Sequence, residues 1–570
     1  MNRRLLLTDD LPLDEVPLSE YPRPQFRRDS YICLNGKWEI KISKEEVSFD
    51  ENFEKEIIVP FSIESYLSGI YGYLEKGEYI YYRKEFILPE GFNKGRVILH
   101  FDAVDQICGV YLNRKLVKTN EGGYLPFEVD ISDFLEEKNV IFVKVKDDLD
   151  LKYGYGKQTK TSKGMWYTKT SGIWKTVWLE SVPVNYFKNV KIDVTLDSVT
   201  LDISTSIEDK TLIIHTENGD IVKSFKENKI TLTIPSPHLW TPEDPYLYNF
   251  ELISKEEKVY SYFALRTIEI KNEKVPYIYL NGKPIFFHGL LDQGYFPDGL
   301  LTPKSYQKYE DEILKLKELG FNTLRKHIKV EPLYFYYLCD KLGMIVFQDM
   351  VNNSPYSFIR DTALPTIGML RWKNKGKHTP KVNKEQFIKE CKETIELLYN
   401  SPSVLYYTIF NEGWGQFDSD KIFDMVKTFD QTRIIDATSG WFFGDKSDVD
   451  SYHVYFKPIK VKTKHRPIII SEFGGYVYKD DEHSFNLDNT YGYRIYKNIN
   501  DFHNGLESLY LNQIVPLIKK GVCGAIYTQV SDVEDETNGL FTYDRKVLKV
   551  SSELMNKIKI AIEEEVEKLY

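Results

Sequence analysis

The sequence predicts a multidomain chain: two β-sandwich units followed by a C-terminal (β/α)8 barrel. Three observations predict it. The 570 residues exceed one ordinary domain of about 100–200 residues. The first part is a succession of short β-type runs separated by turn residues, the pattern of sandwiches. From about residue 275 strands and helices alternate, and eight strand runs can be counted, many ending in polar residues. A doubly wound sheet is the structural alternative for that last part. The boundaries read as 1–182, 183–272 and 273–570.

In the first unit the runs are Gly36 to Ile42, Tyr79 to Phe86, Arg96 to Phe101, Gly109 to Asn113 and Val140 to Val145, closing on Trp174-Lys175-Thr176-Val177-Trp178-Leu179-Glu180. The second unit holds Val190 to Val194, Thr211 to His215 and Lys229 to Ile234, about right for an immunoglobulin-like sandwich. In the third, a first strand near Phe286-Phe287-His288-Gly289 is followed by a helix opened by Thr302-Pro303, cap and first-turn proline, and running to Gly320. Strands follow at Phe321 to Leu324 and Gly343 to Asp349. Asn383 with Gln386 predicts a capping-box start for the next long helix. The strand ending in Glu412, a helix through Ile422, Val426 and Phe429, and strands at 433–436, 450–454, 467–472 and 524–528 complete the count.

Composition excludes several classes. The net charge is −10 with no long basic run, which argues against a nucleic-acid partner. No segment approaches the ~20 apolar residues of a membrane span, and the N-terminal apolar stretch is too short for a signal-peptide core. The five cysteines are scattered, odd in number and without a C-x-x-C pair. They read as reduced core thiols, neither a disulfide scaffold nor a metal site. The expectation is a soluble cytoplasmic protein, with a homo-oligomer left open and no cofactor or metal called for.

Two strand ends carry the chemistry. Tyr406-Tyr407-Thr408-Ile409-Phe410 runs into Asn411-Glu412-Gly413-Trp414, and Pro467-Ile468-Ile469-Ile470-Ser471 runs into Glu472-Phe473-Gly474-Gly475. Two glutamates at the C-terminal ends of barrel strands suit glycoside cleavage, one protonating the leaving oxygen and the other attacking the sugar carbon. Asn411 supplies an amide for a sugar hydroxyl, and Trp414 a flat apolar face for a sugar ring. Either glutamate alone reads as a solvated loop carboxylate.

The layout and its strings resemble glycoside hydrolase family 2 over nearly the whole chain. The strings are Leu34-Asn35-Gly36-Lys37-Trp38, Ser171-Gly172-Ile173-Trp174 through Glu180, Leu265-Arg266, Asn411-Glu412 and Ser471-Glu472-Phe473-Gly474. The resemblance implies a jelly-roll domain of sugar-binding type, an immunoglobulin-like domain and a barrel. It implies Glu412 as acid/base, Glu472 as nucleophile, and exo action on a terminal β-linked sugar with retention. Arg325, in Asn322-Thr323-Leu324-Arg325-Lys326-His327, is implied to hold the nucleophile carboxylate; the alternative is a barrel-rim salt bridge. Tyr452 or His453 takes a sixth-strand polar position, and neighbours on a strand face opposite ways. His453 reads alternatively as a core histidine. For the sugar pocket the candidates are Asp292, Asp349, Asn411, Trp414 and Trp441. The two aspartates read alternatively as solvated caps, and Trp441 as core.

The family spans β-galactosidases, β-mannosidases and β-glucuronidases. The last carry an Asn-x-Lys pair that binds the substrate carboxylate, where this chain has Glu536-Thr537-Asn538-Gly539-Leu540-Phe541. Lacking that lysine, and with Glu534, Asp535 and Glu536 expected to crowd the loop, the chain is expected to take a neutral β-hexoside, a galactoside first, with a β-mannosidase or a β-glucuronidase of the same family as the alternatives among enzymes. A non-catalytic carbohydrate-binding protein is the alternative outside enzymes, and both carboxylates being present speaks against it.

Overall fold

The computed structural model describes residues 3–366, 379–462 and 465–569. The N-terminal unit is two facing antiparallel sheets. The larger has six strands, Lys55–Val59, Gly36–Ser43, Tyr79–Phe86, Asn139–Lys146, Ile107–Leu112 and Lys115–Glu121 in spatial order. The smaller has Tyr31–Cys33, Val177–Val182, Arg96–Phe101 and Phe127–Asp130. Alternate residues point inward, so Trp38, Ile40, Ile80, Tyr82, Leu99, Val143 and Leu179 form one core between them. The buried indole of Trp38 satisfies its N–H on Leu34 O at 2.7 Å.

The central unit is a smaller sandwich of a three-stranded and a four-stranded sheet around Val190, Leu201, Leu212, Phe250 and Leu265. Arg28 joins the two units. Its buried guanidinium donates to Glu257 (2.7 Å) of the central unit and Glu180 (2.9 Å) of the N-terminal one. Arg266 ties the central unit to the barrel by donating to the carbonyls of Pro402 (3.2 Å) and Thr432 (3.2 Å).

The barrel strands are β1 (Phe287–Asp292), β2 (Thr323–Lys326), β3 (Ile345–Asp349), β4 (Val404–Asn411), β5 (Ile434–Ser439), β6 (Asp450–Val454), β7 (Ile468–Gly474) and β8 (Val522–Thr528). They form one parallel sheet in the order β5-β4-β3-β2-β1-β8-β7-β6. The ring is nearly closed: β5 and β6 are its two edges, and Asp448, just before β6, donates its N–H to Ile435 O of β5 at 2.9 Å. Nearly every residue of these strands is buried, as expected where helices cover the outside and side chains fill the inside.

Two helix starts differ from expectation. The first helix is Gln307–Glu318, not opened at Thr302-Pro303. Thr302 instead donates its hydroxyl to Trp174 O (2.6 Å) of the N-terminal unit, a tertiary contact that outbids a local cap. The long helix is Lys381–Leu398, capped at Pro380, which puts Asn383 inside it. The Asn383 amide is used between domains, donating to Leu151 O at 2.7 Å. Among the described residues no helix is long and apolar enough to cross a membrane.

Candidate active site

The C-terminal ends of β4 and β7 bring Glu412 and Glu472 together. Glu412 follows directly after β4 with φ +53, and Gly413 follows at +72. A non-glycine residue held left-handed costs about 1 kcal/mol or more and persists only where its surroundings insist on it. Here the Glu412 N–H donates to Ser439 O of β5 at 2.9 Å, so the strand pairing continues while the side chain turns into the mouth. A Cβ on Gly440 would meet Glu412 Cγ at 3.1 Å and His453 Nδ1 at 3.2 Å, so a side chain there would crowd both groups.

Glu472 is almost fully buried. Its Oε1 accepts from Arg325 Nη1 at 3.0 Å, and its Oε2 accepts the hydroxyl of Tyr455. Burial pushes its pKa up, but the Arg325 guanidinium beside it and the Tyr455 hydroxyl outweigh it and hold the carboxyl well below its usual range. Arg325 on β2 is inaccessible to solvent and is a hub. Its Nε donates to both oxygens of Asp349 at 3.0 Å, and its Nη2 to Asn411 Oδ1 (2.8 Å) and Ser439 Oγ (3.1 Å). Tyr455 is half-buried, its hydroxyl pKa raised by loss of solvent and by Glu472, so it stays a donor; its ring stacks on Tyr493 at 3.7 Å.

His453, not Tyr452, faces the site. Its Nδ1 lies 2.7 Å from Glu412 Oε1, and its Nε2 faces Arg325 Nη1 at 3.3 Å. An arginine nitrogen only donates, so Nε2 presents its lone pair and the Nδ1 proton points at Glu412. The two carboxylates thus receive different treatment: Glu472 meets a fixed cation and a phenol, Glu412 an imidazole. His327 Nδ1 donates to Asp349 at 2.7 Å. Burial lowers the His327 pKa to about 4, leaving a neutral ring in the pocket wall.

The carboxylates share a pocket of about 500 Å3, counting its open mouth. Asn411 and Trp414 line it. The Asn411 carbonyl is taken by Arg325 and by Ser439 Oγ (2.9 Å), which turns its amide NH2 the other way. Trp414 is edge-packed with Tyr155, Trp166 and Tyr356. A cleft of about 3220 Å3 on the same measure lies between the β units and the helix Lys381–Leu398, but holds neither carboxylate.

Three expected pocket residues, Asp292, Asp349 and Trp441, lie elsewhere, and so does Tyr452. Asp292 is locked by Lys326 Nζ and the Gly294 N–H (2.8 Å), and Asp349 lies beneath the floor between Arg325 and His327. Trp441 packs edge-on to His453 at 6.1 Å without lining the pocket, and Tyr452 faces Phe443 on the outer side. Arg325 itself lies under the site, reaching Glu472 but not the pocket.

The sequence reading missed Tyr455 and the wall supplied by the N-terminal unit: Lys157, Met165 and Trp166. Period-two alternation would have reached Tyr455 from His453. The charge reading of the 534–536 loop also changes. Glu534 Oε1 accepts the Thr168 N–H (2.9 Å), and Asp535 accepts from Asn486 Nδ2 (2.7 Å), so both brace the structure. Only Glu536 lines the pocket.

Among the described residues, Glu412, His453 and Glu472 are the one trio able to offer a metal three ligand atoms, all within 4.8 Å of one another. Arg325 Nη1 already faces two of them, and its fixed positive charge opposes a dication there. The same 4.8 Å limit places an oxygen of Glu412 close to one of Glu472. The two carboxyls therefore face one another across a single pocket, the arrangement that paired-carboxylate glycoside cleavage needs.

Residues 32–183 match the sugar binding domain of "Glycosyl hydrolases family 2", 175–266 the central domain model, and 268–561 the TIM barrel domain. The chain belongs to glycosyl hydrolase family 2. It is 27% identical over 433 residues to a β-galactosidase of Thermoanaerobacter pseudethanolicus, covering 70% of this chain and 54% of that protein. It is 24% identical over 426 residues to a β-glucuronidase of Bacteroides fragilis, covering 67% and 56%. The aligned part thus spans about half the length of these family 2 relatives. The solved β-glucuronidase of an uncultured Clostridium sp. superposes with a TM-score of 0.73 at 18% identity, over 93% of this chain and 98% of that one. At that identity the likeness shows the fold, and it is the expected family 2 architecture.

Proposed function

We propose that this family 2 chain is a retaining exo-β-glycosidase that removes a terminal, neutral β-linked sugar, a β-galactoside first. The observation that carries the reading is the pair Glu412 and Glu472: facing one another across a single pocket, and set in contrasting surroundings. Glu472, ionised, attacks the anomeric carbon as the bond to the leaving oxygen breaks, and Glu412 gives its proton to that oxygen. The sugar is then an ester of Glu472. Glu412, now a carboxylate, takes a proton from water as the water oxygen attacks the same carbon, and Glu472 leaves. Two inversions give net retention. His453, donating to Glu412 Oε1, leaves Oε2 as the oxygen that carries the transferred proton. A small pocket closed by the N-terminal unit favours one terminal ring over an internal stretch of polymer. The five cysteines are free, which suits the proposed cytoplasmic setting.

The neutral-sugar reading rests on Glu536 in the pocket wall and on the missing Asn-x-Lys lysine. A uronate carboxylate beside Glu536 would meet like charge. The test is kcat/KM for one aryl leaving group on galactose, glucose, mannose and glucuronic acid. A neutral sugar, galactose first, is expected to lead by at least about tenfold, a difference of about 1.4 kcal/mol. A glucuronide as the best of the four overturns the reading.

Tyr455→Phe checks how Glu472 is kept ionised. Removing a hydroxyl that stabilises the carboxylate raises its pKa, so the acid limb of kcat/KM should move to higher pH, toward the ordinary carboxylate range. An unmoved acid limb would show that Arg325 suffices without the phenol.

A further inference from the structure

We propose that Lys157, delivered by the N-terminal unit, is a specificity-determining residue: its ammonium donates to a non-reacting hydroxyl of the sugar, opposite Glu536. The inference rests on the glycosidase reading above and deepens it.

Lys157 sits in the wall of the pocket that holds Glu412 and Glu472. Among the described residues its ammonium has no ion-pair or hydrogen-bond partner, only the face of Tyr167 with the ring centre 5.7 Å away. Lys157 is half-buried, and an ammonium in a pocket wall without a protein acceptor is open to a ligand oxygen. Its backbone is rigidly placed. Lys157 precedes the short strand Gln158–Thr159, paired in parallel with Tyr167–Thr168, and its carbonyl accepts the Tyr167 N–H at 3.0 Å. The next side chain, Gln158, is fully engaged: its amide donates to Asp105 (2.9 Å) and Tyr124 (3.0 Å) and its carbonyl accepts from Thr170 N (2.7 Å). This ribbon is docked on the barrel by the Thr168 N–H to Glu534.

Glu536 is the complementary group. Its carboxylate accepts the Tyr167 hydroxyl and Asn538 Nδ2 (3.0 Å), both neutral donors, and among the described residues it has no ion pair. Beyond the pair Glu412 and Glu472, the described pocket lining therefore holds one lysine ammonium and one further carboxylate, neither ion-paired among the described residues, both against Tyr167. A polyol can satisfy both, accepting from Lys157 with one hydroxyl oxygen and donating to Glu536 with another. An anionic sugar would gain at Lys157 and lose at Glu536.

The test is Lys157→Met, which keeps the stem and removes the ammonium, assayed on the best neutral aryl β-glycoside and its monodeoxy analogues. The expected result is a loss in kcat/KM on the order of 10- to 100-fold on the parent, carried mainly by KM. On one deoxy analogue, the one lacking the contacted hydroxyl, wild type and variant should perform alike. An equal loss on every analogue would make Lys157 a structural residue. A wild-type enzyme that prefers a uronide, with Lys157→Met abolishing that preference, would make it a carboxylate receptor. Either result overturns the proposal. Failure of the glycosidase reading itself shows separately, as absence of glycoside turnover in the wild type.

Discussion

Glu472→Ala is expected to lower kcat by about 10^4-fold or more, at least ~5 kcal/mol of transition-state stabilisation, with the fold retained. Retention follows from the contacts of Arg325. When the glutamate goes, the guanidinium keeps Asp349, Asn411, Ser439 and the Ser471 carbonyl, so no buried cation is orphaned. Azide should fill the space left by the carboxylate and attack the anomeric carbon directly. The product is then an α-glycosyl azide, from a single inversion of the β-substrate. Far-UV circular dichroism matching wild type separates lost chemistry from lost structure. Near-wild-type turnover in a correctly folded variant would remove Glu472 from the reaction.

The two glutamates could be read in the sequence because each ends an apolar run, and a barrel strand must deliver its last residue to the mouth. The neighbours were harder for identifiable reasons. Tyr452 and His453 could not be separated because β6 and β7 change register between them, and a one-residue slip exchanges the faces of a strand. Asp292 and Asp349 also end barrel strands, but Arg325 and Lys326 follow each other on β2, point to opposite sides, and take one aspartate each. That pairing is a matter of neighbouring strands and leaves no mark in local sequence. Lys157 and Trp166 lie in a ribbon of another domain, brought over the barrel by hydrogen bonds to Glu534 and Asp535. The acids that read as a repulsive loop are largely the docking points of that ribbon. Thr302 and Asn383 failed as caps likewise, because a partner from the N-terminal unit claimed each side chain.

Glu412→Ala should give the opposite chemical signature and so assign the second role. The side chain is 17% exposed and, among the described residues, its side-chain hydrogen-bond partner is His453, so its loss leaves packing intact. Without the acid, glycosides with poor leaving groups, such as alkyl alcohols, should lose about 10^2–10^4-fold in kcat/KM, the usual worth of positioned proton transfer. A dinitrophenyl glycoside needs no proton, so its kcat/KM should fall by less than about tenfold. Its kcat should still drop, because water must now attack the glycosyl-Glu472 ester without a base, and KM should drop with it as the intermediate accumulates. Azide, already a nucleophile, should restore kcat and yield the β-glycosyl azide, since it enters from the face the leaving group vacated. The alkaline limb of kcat/KM, which reports deprotonation of the acid, should disappear for the activated substrate. A loss independent of leaving group, or an α-azide from this variant, would reverse or withdraw the assignment. The α-product from one variant and the β-product from the other would together place Glu472 and Glu412 on opposite faces of the sugar.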